Sequence, residues 1–258
     1  MPLLELSQSL PVGALIDRDA HLLQGQVAAT GGLWFRAGAT AVDPPAPTSE
    51  TALTRWHSTD GARSLLPSEP NGGNTRLGTF GGAPGLILTE GVHCGFWLAG
   101  ATDLATCFSA AILYTAPKGD ARTLLSLSTG QEHNLVFLSD ADGQLSLHDR
   151  TTGAGMDTVL PMRGGATRLA IISYDGRTLA LRTFGRTVQT AANLPAMDRP
   201  GEFFVGCRSN RRGLLKTLGQ ACIHDVFFWP DRAILLEDEH RHAELTETLE
   251  RYLAWSRQ

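Results

Sequence analysis

Apolar and polar positions along this chain change rhythm several times. In "RLAIISYDGRTLALRTF" (168–184) two apolar runs flank Asp175–Gly176, which predicts a hairpin with a type I′ turn. A second hairpin is expected in "NLVFLSDADGQLSLHDR" (134–150), whose Leu135–Leu138 run lacks alternation, as in a strand covered on both faces. "GGLWFRAGATAV" (31–42), "CFSAAILYT" (107–115) and "EFFVGCR" (202–208) read as further strands, for at least seven in all. "DPPAPTSE" (43–50) is a proline-stiffened connection, and residues 57–85, rich in Gly, Ser, Asn and Pro, read as long loops. After residue 229 the period changes to that of a helix over 237–255. Leu245, Leu249, Tyr252 and Leu253 form one apolar stripe, and Glu237, Asp238 and Glu239 fall in its first turn. Residues 1–30 show no clear period although they carry Leu3, Leu4, Leu6, Leu10, Val12, Leu15 and Ile16, so they are expected to be an attachment or oligomerisation segment ahead of a domain spanning 31–258.

Composition narrows this picture. Twenty-eight glycines, thirteen prolines and 19% charged residues in 258 suit many short strands joined by turns. A net charge of −4 argues against a general nucleic-acid binder. No apolar run is long enough for a membrane-spanning helix, and the start lacks a secretory pattern, so a cytoplasmically made protein without membrane insertion is expected. Cys94, Cys107, Cys207 and Cys222 have no zinc-type spacing and read as buried thiols, with a Cys207–Cys222 disulfide as the alternative.

A set of motifs resembles the concanavalin A-like lectin/glucanase superfamily, in its laminin-G-like or pentraxin-like bacterial and phage branch. The motifs are "WHSTDG" (56–61), "GLILTE" (85–90), "FSAAILYT" (108–115), the hairpin 167–185, Val205–Gly206, Gly219 with "CIHDVFFW" (222–229), and "YLAW" (252–255). The resemblance covers about residues 50–255. It implies an all-β, two-sheet antiparallel jelly-roll sandwich, here with a C-terminal amphipathic helix. It does not imply one function, because that superfamily holds lectins, glycosidases, adhesion modules and structural coats.

The chemistry is therefore read from residues. Glycosidases of this fold pair carboxylates on one strand; Glu90 and Glu202 stand alone at strand ends, so no enzyme is expected. No Gly-x-Ser-x-Gly supports a serine triad, His240 and His242 read as solvated helix positions, and His224 reads as packed or on a sheet face. No cofactor is expected; calcium is conceivable at Asp140 and Asp142, or at Asn71 and Asn74, against the plainer reading of these as turn residues. For sugar recognition the candidates are Trp56, Asn71, Asn74, His93 and Trp97 in the loop-rich part, and Arg208, Asn210 and Arg211 in "RSNRRGLLK". The expected function is a non-catalytic glycan-binding or adhesion module. Its setting would be the surface of a phage or phage-like particle, its ligand a cell-surface or capsular polysaccharide. Other particle proteins would be partners through the N-terminal segment, in a homo-oligomer. The rivals are a structural decoration protein that binds no sugar and a glycan hydrolase.

Overall fold

The structure, a computed structural model, describes residues 18–102, 107–128, 134–150, 152–160, 164–194 and 201–255. Helix α1 (Arg18–Ala29) comes first, followed by β1 (Leu33–Arg36), β2 (Val42–Asp43), β3 (Arg55–His57), β4 (Ser64–Pro67), β5 (Arg76–Phe80) and β6 (Ala83–Leu88). Next are β7 (Phe96–Thr102), β8 (Phe108–Thr115), β9 (Arg122–Ser128), β10 (Asn134–Ala141), β11 (Gln144–His148) and β12 (Gly155–Val159). The chain continues through β13 (Thr167–Tyr174), β14 (Thr178–Thr183), β15 (Arg186–Ala191), β16 (Gly201–Val205) and β17 (Ala221–Trp229), and closes with helix α2 (His240–Trp255).

These strands make two antiparallel sheets packed as a sandwich. An eight-stranded sheet runs β15-β14-β13-β8-β17-β6-β5, with β1 also on β17; a nine-stranded sheet runs β12-β11-β10-β9-β16-β7-β4-β3-β2. Alternation along each strand fills the space between them. Phe203 of β16 and Phe228 of β17 stack across the sheets at 4.4 Å, within a core that includes Trp56, Phe96, Tyr114, Leu125, Leu138 and Ile172.

A second core lies on the other side of the eight-stranded sheet. Trp34, Ala111, Leu113, Ile171, Phe227 and Trp229 face outward there and are covered by Leu23 and Val27 of α1 and by Leu245, Leu249 and Tyr252 of α2. Trp229 Nε1 donates to Thr30 Oγ1 at 2.9 Å, and Arg182 Nε donates to Glu250 Oε1 at 3.0 Å, so both helices are tied down at polar edges as well.

Several expectations change. Within the segment expected over residues 1–30, residues 18–29 are a helix built into the second core, which the sequence hid because only Ala20, Leu23 and Val27 mark its buried side. Helix α2 starts at His240, and Glu237 instead accepts a hydrogen bond from the Ala233 N–H at 2.8 Å. His240 is solvated as expected, but His242 is buried, 3.4 Å from Glu237. The segment 57–85 is not all loop, since β4, β5 and part of β6 lie in it. Both hairpins form, but the type I′ geometry expected at Asp175–Gly176 occurs in the other one. Asp142 and Gly143 both take positive φ, 54° and 75°, the type I′ pattern. At 175–178 Gly176 alone does, because Asp175 spends its carboxylate on the N–H groups of Arg177 and Thr178. The four cysteines are free; Cys222 lies in β17 of one sheet and Cys207 just beyond β16 of the other, and burial pushes both thiols up to about 12.

Candidate functional site

The outer face of the nine-stranded sheet is built differently. In β7, Phe96 and Leu98 point to the core, so Trp97 points out. By the same alternation Phe204 leaves β16, Ser126 β9, Phe137 β10 and His148 β11 on that face. The register places them in one line: Trp97 opposite Phe204, Phe204 opposite Ser126, Ser126 opposite Phe137, Phe137 opposite His148, and His148 opposite Gly155. Five strand spacings give a row about 24 Å long. A parallel row beside it carries Thr123, Ser139, Ser146 and Asp157.

Two stacked pairs stand in the row. Trp97 and Phe204 rings lie 6.2 Å apart at 15°, and Phe137 and His148 rings 5.9 Å apart at 30°. Arg208 reaches over from the segment after β16, with its Cζ 4.1 Å from the Phe137 centroid and its Nε donating to Thr123 Oγ1 at 3.1 Å. That is a cation held over an aromatic face, where the ring quadrupole attracts the charge. Burial, and then the charge of Arg150, lowers the Arg208 pKa, so a second guanidinium acts on the same ground. Arg150 itself is exposed. At the far end His148 Nε2 lies 3.2 Å from Asp157 Oδ1. Phe204 and Ser126 in the row, and Thr123 beside it, are buried. What the face offers outward is the half-buried rings of Trp97, Phe137 and His148, the hydroxyls of Ser139 and Ser146, and positive charge, a match for a ring-shaped, hydroxylated ligand bearing acidic groups.

The residues singled out from sequence divide between three places. Trp97 and Arg208 join this face. Asn210 straps its edge, accepting from the Glu69 N–H at 3.2 Å, and Arg211 is exposed beyond it. Of the others, Trp56 and Asn71 brace the interior, while Asn74 is exposed and His93 half-buried. Trp56 is fully buried, donating from Nε1 to the Arg36 carbonyl at 3.1 Å, so the expected loop platform is a core residue. Asn71 is also fully buried, donating to Thr75 Oγ1 and to the Gly95 carbonyl, both at 2.9 Å, and Asn74 donates to the carbonyl of half-buried His93 at 3.0 Å. Of the calcium candidates, Asn71 Oδ1 accepts from the Asn74 N–H, Oδ2 of fully buried Asp140 accepts from Tyr114 Oη at 2.8 Å and from Arg168, and Asp142 is exposed in its turn. Among the described residues no group of three or more His, Cys, Asp or Glu could hold a metal ion.

Phe137, Ser126, His148 and Phe204 were missed. Two of them were within reach of the sequence, because a two-residue turn at Asp142–Gly143 sets Phe137 opposite His148 by counting outward.

On the eight-stranded sheet, a cleft of about 350 Å³ opens beside α2, lined by Arg36, Thr167, His224, Asp225 and Tyr252 among others. A β-bulge in β17 turns both His224 and Asp225 toward it. Its polar groups bind one another. Asp225 accepts from Trp34 Nε1 at 2.7 Å and from Tyr252 Oη at 3.2 Å. His224 Nδ1 donates to the Pro84 carbonyl at 2.8 Å and Nε2 accepts from Thr115 Oγ1 at 2.9 Å. Burial lowers the His224 pKa, and the Pro84 carbonyl works against it.

No family model matches the sequence, and no curated protein is similar to it. Solved structures do share the architecture. Domain 4 of AbnA, an extracellular GH43 arabinanase of Geobacillus stearothermophilus solved with arabinotriose, matches with a TM-score of 0.54 at 12% identity, over 74% of this chain and 91% of that one. The receptor binding domain of botulinum neurotoxin D matches at 0.54 and 8% identity, over 86% of this chain and 53% of that one. A mutant of Trypanosoma rangeli sialidase displaying trans-sialidase activity matches at 0.55 and 11% identity, over 92% of this chain and 38% of that one. The chain thus spans about half of the toxin structure and under two fifths of the sialidase. What it shares with all three is the β-sandwich fold.

Proposed function

We propose that this chain is a glycan-binding module, that the outer face of the nine-stranded sheet is its site, and that its ligand is an acidic polysaccharide. The observation that carries the reading is the unbroken cross-strand row with Arg208 laid on Phe137. The domain solved with arabinotriose supports it at the level of fold. We further propose binding without glycosidic cleavage. On that face the described strands carry Asp157 (β12), Glu202 (β16) and Asp43 (β2), each four strand spacings from the next, or about 19 Å, whereas paired glycosidase carboxylates sit about 5–9.5 Å apart. A particle-surface setting with attachment through residues 1–17 belongs to the same proposal, on the apolar composition of that stretch.

The test is a glycan array with the protein displayed multivalently, followed by titration of hits with Trp97→Ala and Arg208→Ala. Each variant should weaken binding about tenfold or more, and Arg208→Ala should also erase the preference for acidic over neutral glycans. A silent array would leave structural decoration as the function.

One observation favours a second reading, ester hydrolysis. Ser64 Oγ lies 2.8 Å from His57 Nδ1, and His57 Nε2 lies 3.1 Å from Asp43 Oδ2, a serine–histidine–aspartate chain with the ring nitrogens in reversed order. Labelling by a fluorophosphonate that disappears in Ser64→Ala would establish it; an unlabelled protein would reduce the chain to a strand-edge brace.

A further inference from the structure

The segment after β16 holds a feature the glycan face does not use. Within "RRGLLK" (211–216), Leu214 and Leu215 are 66% and 56% exposed, and Arg211, Arg212 and Lys216 are exposed around them. Scattered exposed leucines are ordinary on any protein surface, but an adjacent pair inside a ring of cations is not. The pair is not slack chain. Thr217 N and Thr217 Oγ1 both donate to the Leu214 carbonyl, at 2.9 and 2.8 Å, and Leu218 N donates to the Leu215 carbonyl at 3.0 Å. Leu218 itself is buried and bridges to Arg122 of β9, which anchors the base of the loop. The leucines are therefore held out in water. Among the described residues none of the three cations forms an ion pair with a carboxylate, although the whole chain carries a net charge of −4.

We propose that this loop docks on an anionic bilayer surface, with Arg211, Arg212 and Lys216 at the headgroups and Leu214–Leu215 entering the headgroup–acyl boundary. Charge and size select the occupant. A stable protein interface needs on the order of 1,000 Å² or more with a packed apolar centre, and two leucines on a six-residue loop supply far less. A lipid surface asks only for shallow insertion of a few apolar side chains plus attraction to anionic headgroups. Because the rest of the molecule is net acidic, the loop would also fix which way the domain faces the surface. This inference does not depend on glycan recognition.

The probe is sedimentation of the full chain with vesicles of phosphatidylcholine alone or of phosphatidylcholine with phosphatidylglycerol, none carrying glycan. Partitioning should be stronger on the anionic vesicles, by about fivefold per engaged cation at low salt, and should fade at high salt. Leu214→Ser with Leu215→Ser, and separately Arg211→Glu with Arg212→Glu, should each cut it at least tenfold without moving the melting temperature, since none of these side chains is buried. Trp97→Ala should leave it unchanged, which separates this result from success or failure of the glycan site. Equal partitioning on both vesicle types, or indifference to the serine variant, would overturn the proposal. So would a change of mass in light scattering caused by the leucine substitutions, which would make the loop a contact between copies of this chain.

Discussion

The two sheets of this sandwich turn their backs to very different surroundings. The outward positions of the eight-stranded sheet are Trp34, Ala111, Leu113, Ile171, Phe227 and Trp229, an apolar field that water cannot be left to cover, and α1 and α2 close it. The outward positions of the nine-stranded sheet include Ser126, Phe137, Ser139, Ser146, His148 and Asp157, together with Trp97 and Phe204. There Phe204 and Ser126 are buried, and the half-buried rings of Trp97, Phe137 and His148 lie among hydroxyls and a guanidinium, so the face needs no helical cover. The same strand alternation thus yields one face committed to stability and one open to the binding proposed for it.

The largest effect should come from stripping the cover. Removing residues 1–29 takes Leu23 and Val27 off Trp34 and Trp229 and should give insoluble or unfolded protein, a larger loss than removing residues 1–17, which keeps both side chains in place. Within α2, Leu249→Ala should cost about 2–5 kcal/mol by urea unfolding. If the longer truncation melted like the full chain, the comparison between faces would collapse.

Polar seams of the closed face come next. Asp225 is buried and holds two donors, Trp34 Nε1 and Tyr252 Oη. Asp225→Ala would orphan both and should cost about 1–3 kcal/mol for each donor left unsatisfied, while Tyr252→Phe, which removes a single donor, should cost about 0.5–1.5 kcal/mol. Denaturant midpoints with unchanged m-values would confirm that the loss is one of stability alone.

How much of this was legible beforehand follows the same division. The sandwich, both hairpins and the α2 stripe were readable because their signals are local: alternation, Asp-Gly turns and the spacing of Leu245, Leu249 and Tyr252. Helix α1 was not, since its small buried side gains meaning only beside α2. Of the residues read as ligand-binding, Trp97 and Arg208 lie on the outer face, whereas Trp56 and Asn71, which look the same in sequence, are core. A tryptophan after a loop carries no mark of which face its strand will present. The row itself crosses β7, β16, β9, β10 and β11, and the order of those strands is set by packing over long separations.

A smaller effect is linked to pH. His224 has a pKa below its ordinary 6.5 because it is buried, so the folded protein resists a proton that the unfolded chain accepts. Its contribution is present above pH 6.5 and is lost as pH falls below that value through the lowered folded pKa. Unfolding free energy should therefore decline on acidification from pH 6.5, and His224→Gln should flatten part of that slope. A variant with the wild-type slope would move the linkage to other groups.

The finest test concerns where the proposed binding row ends. Gly155 is the last position in line, and a Cβ there would sit 2.0 Å from His148 Nδ1 and 2.7 Å from its Cε1. Gly155→Ala must therefore swing the imidazole aside, breaking its 5.9 Å stack on Phe137 and its 3.2 Å approach to Asp157. The backbone has no reason to move, because Gly155 is not among the residues with positive φ. Displacing the ring costs about 0.5–1.5 kcal/mol, and the stiffer unfolded chain returns about 0.4–1 kcal/mol. The two nearly cancel, so melting should stay within about 4 °C of wild type. Affinity for an acidic glycan should nonetheless fall several-fold if His148 is part of the platform. Unchanged affinity with a displaced His148 signal in NMR would end the row at Phe137 and confine the ligand to the stretch between Trp97 and Arg208.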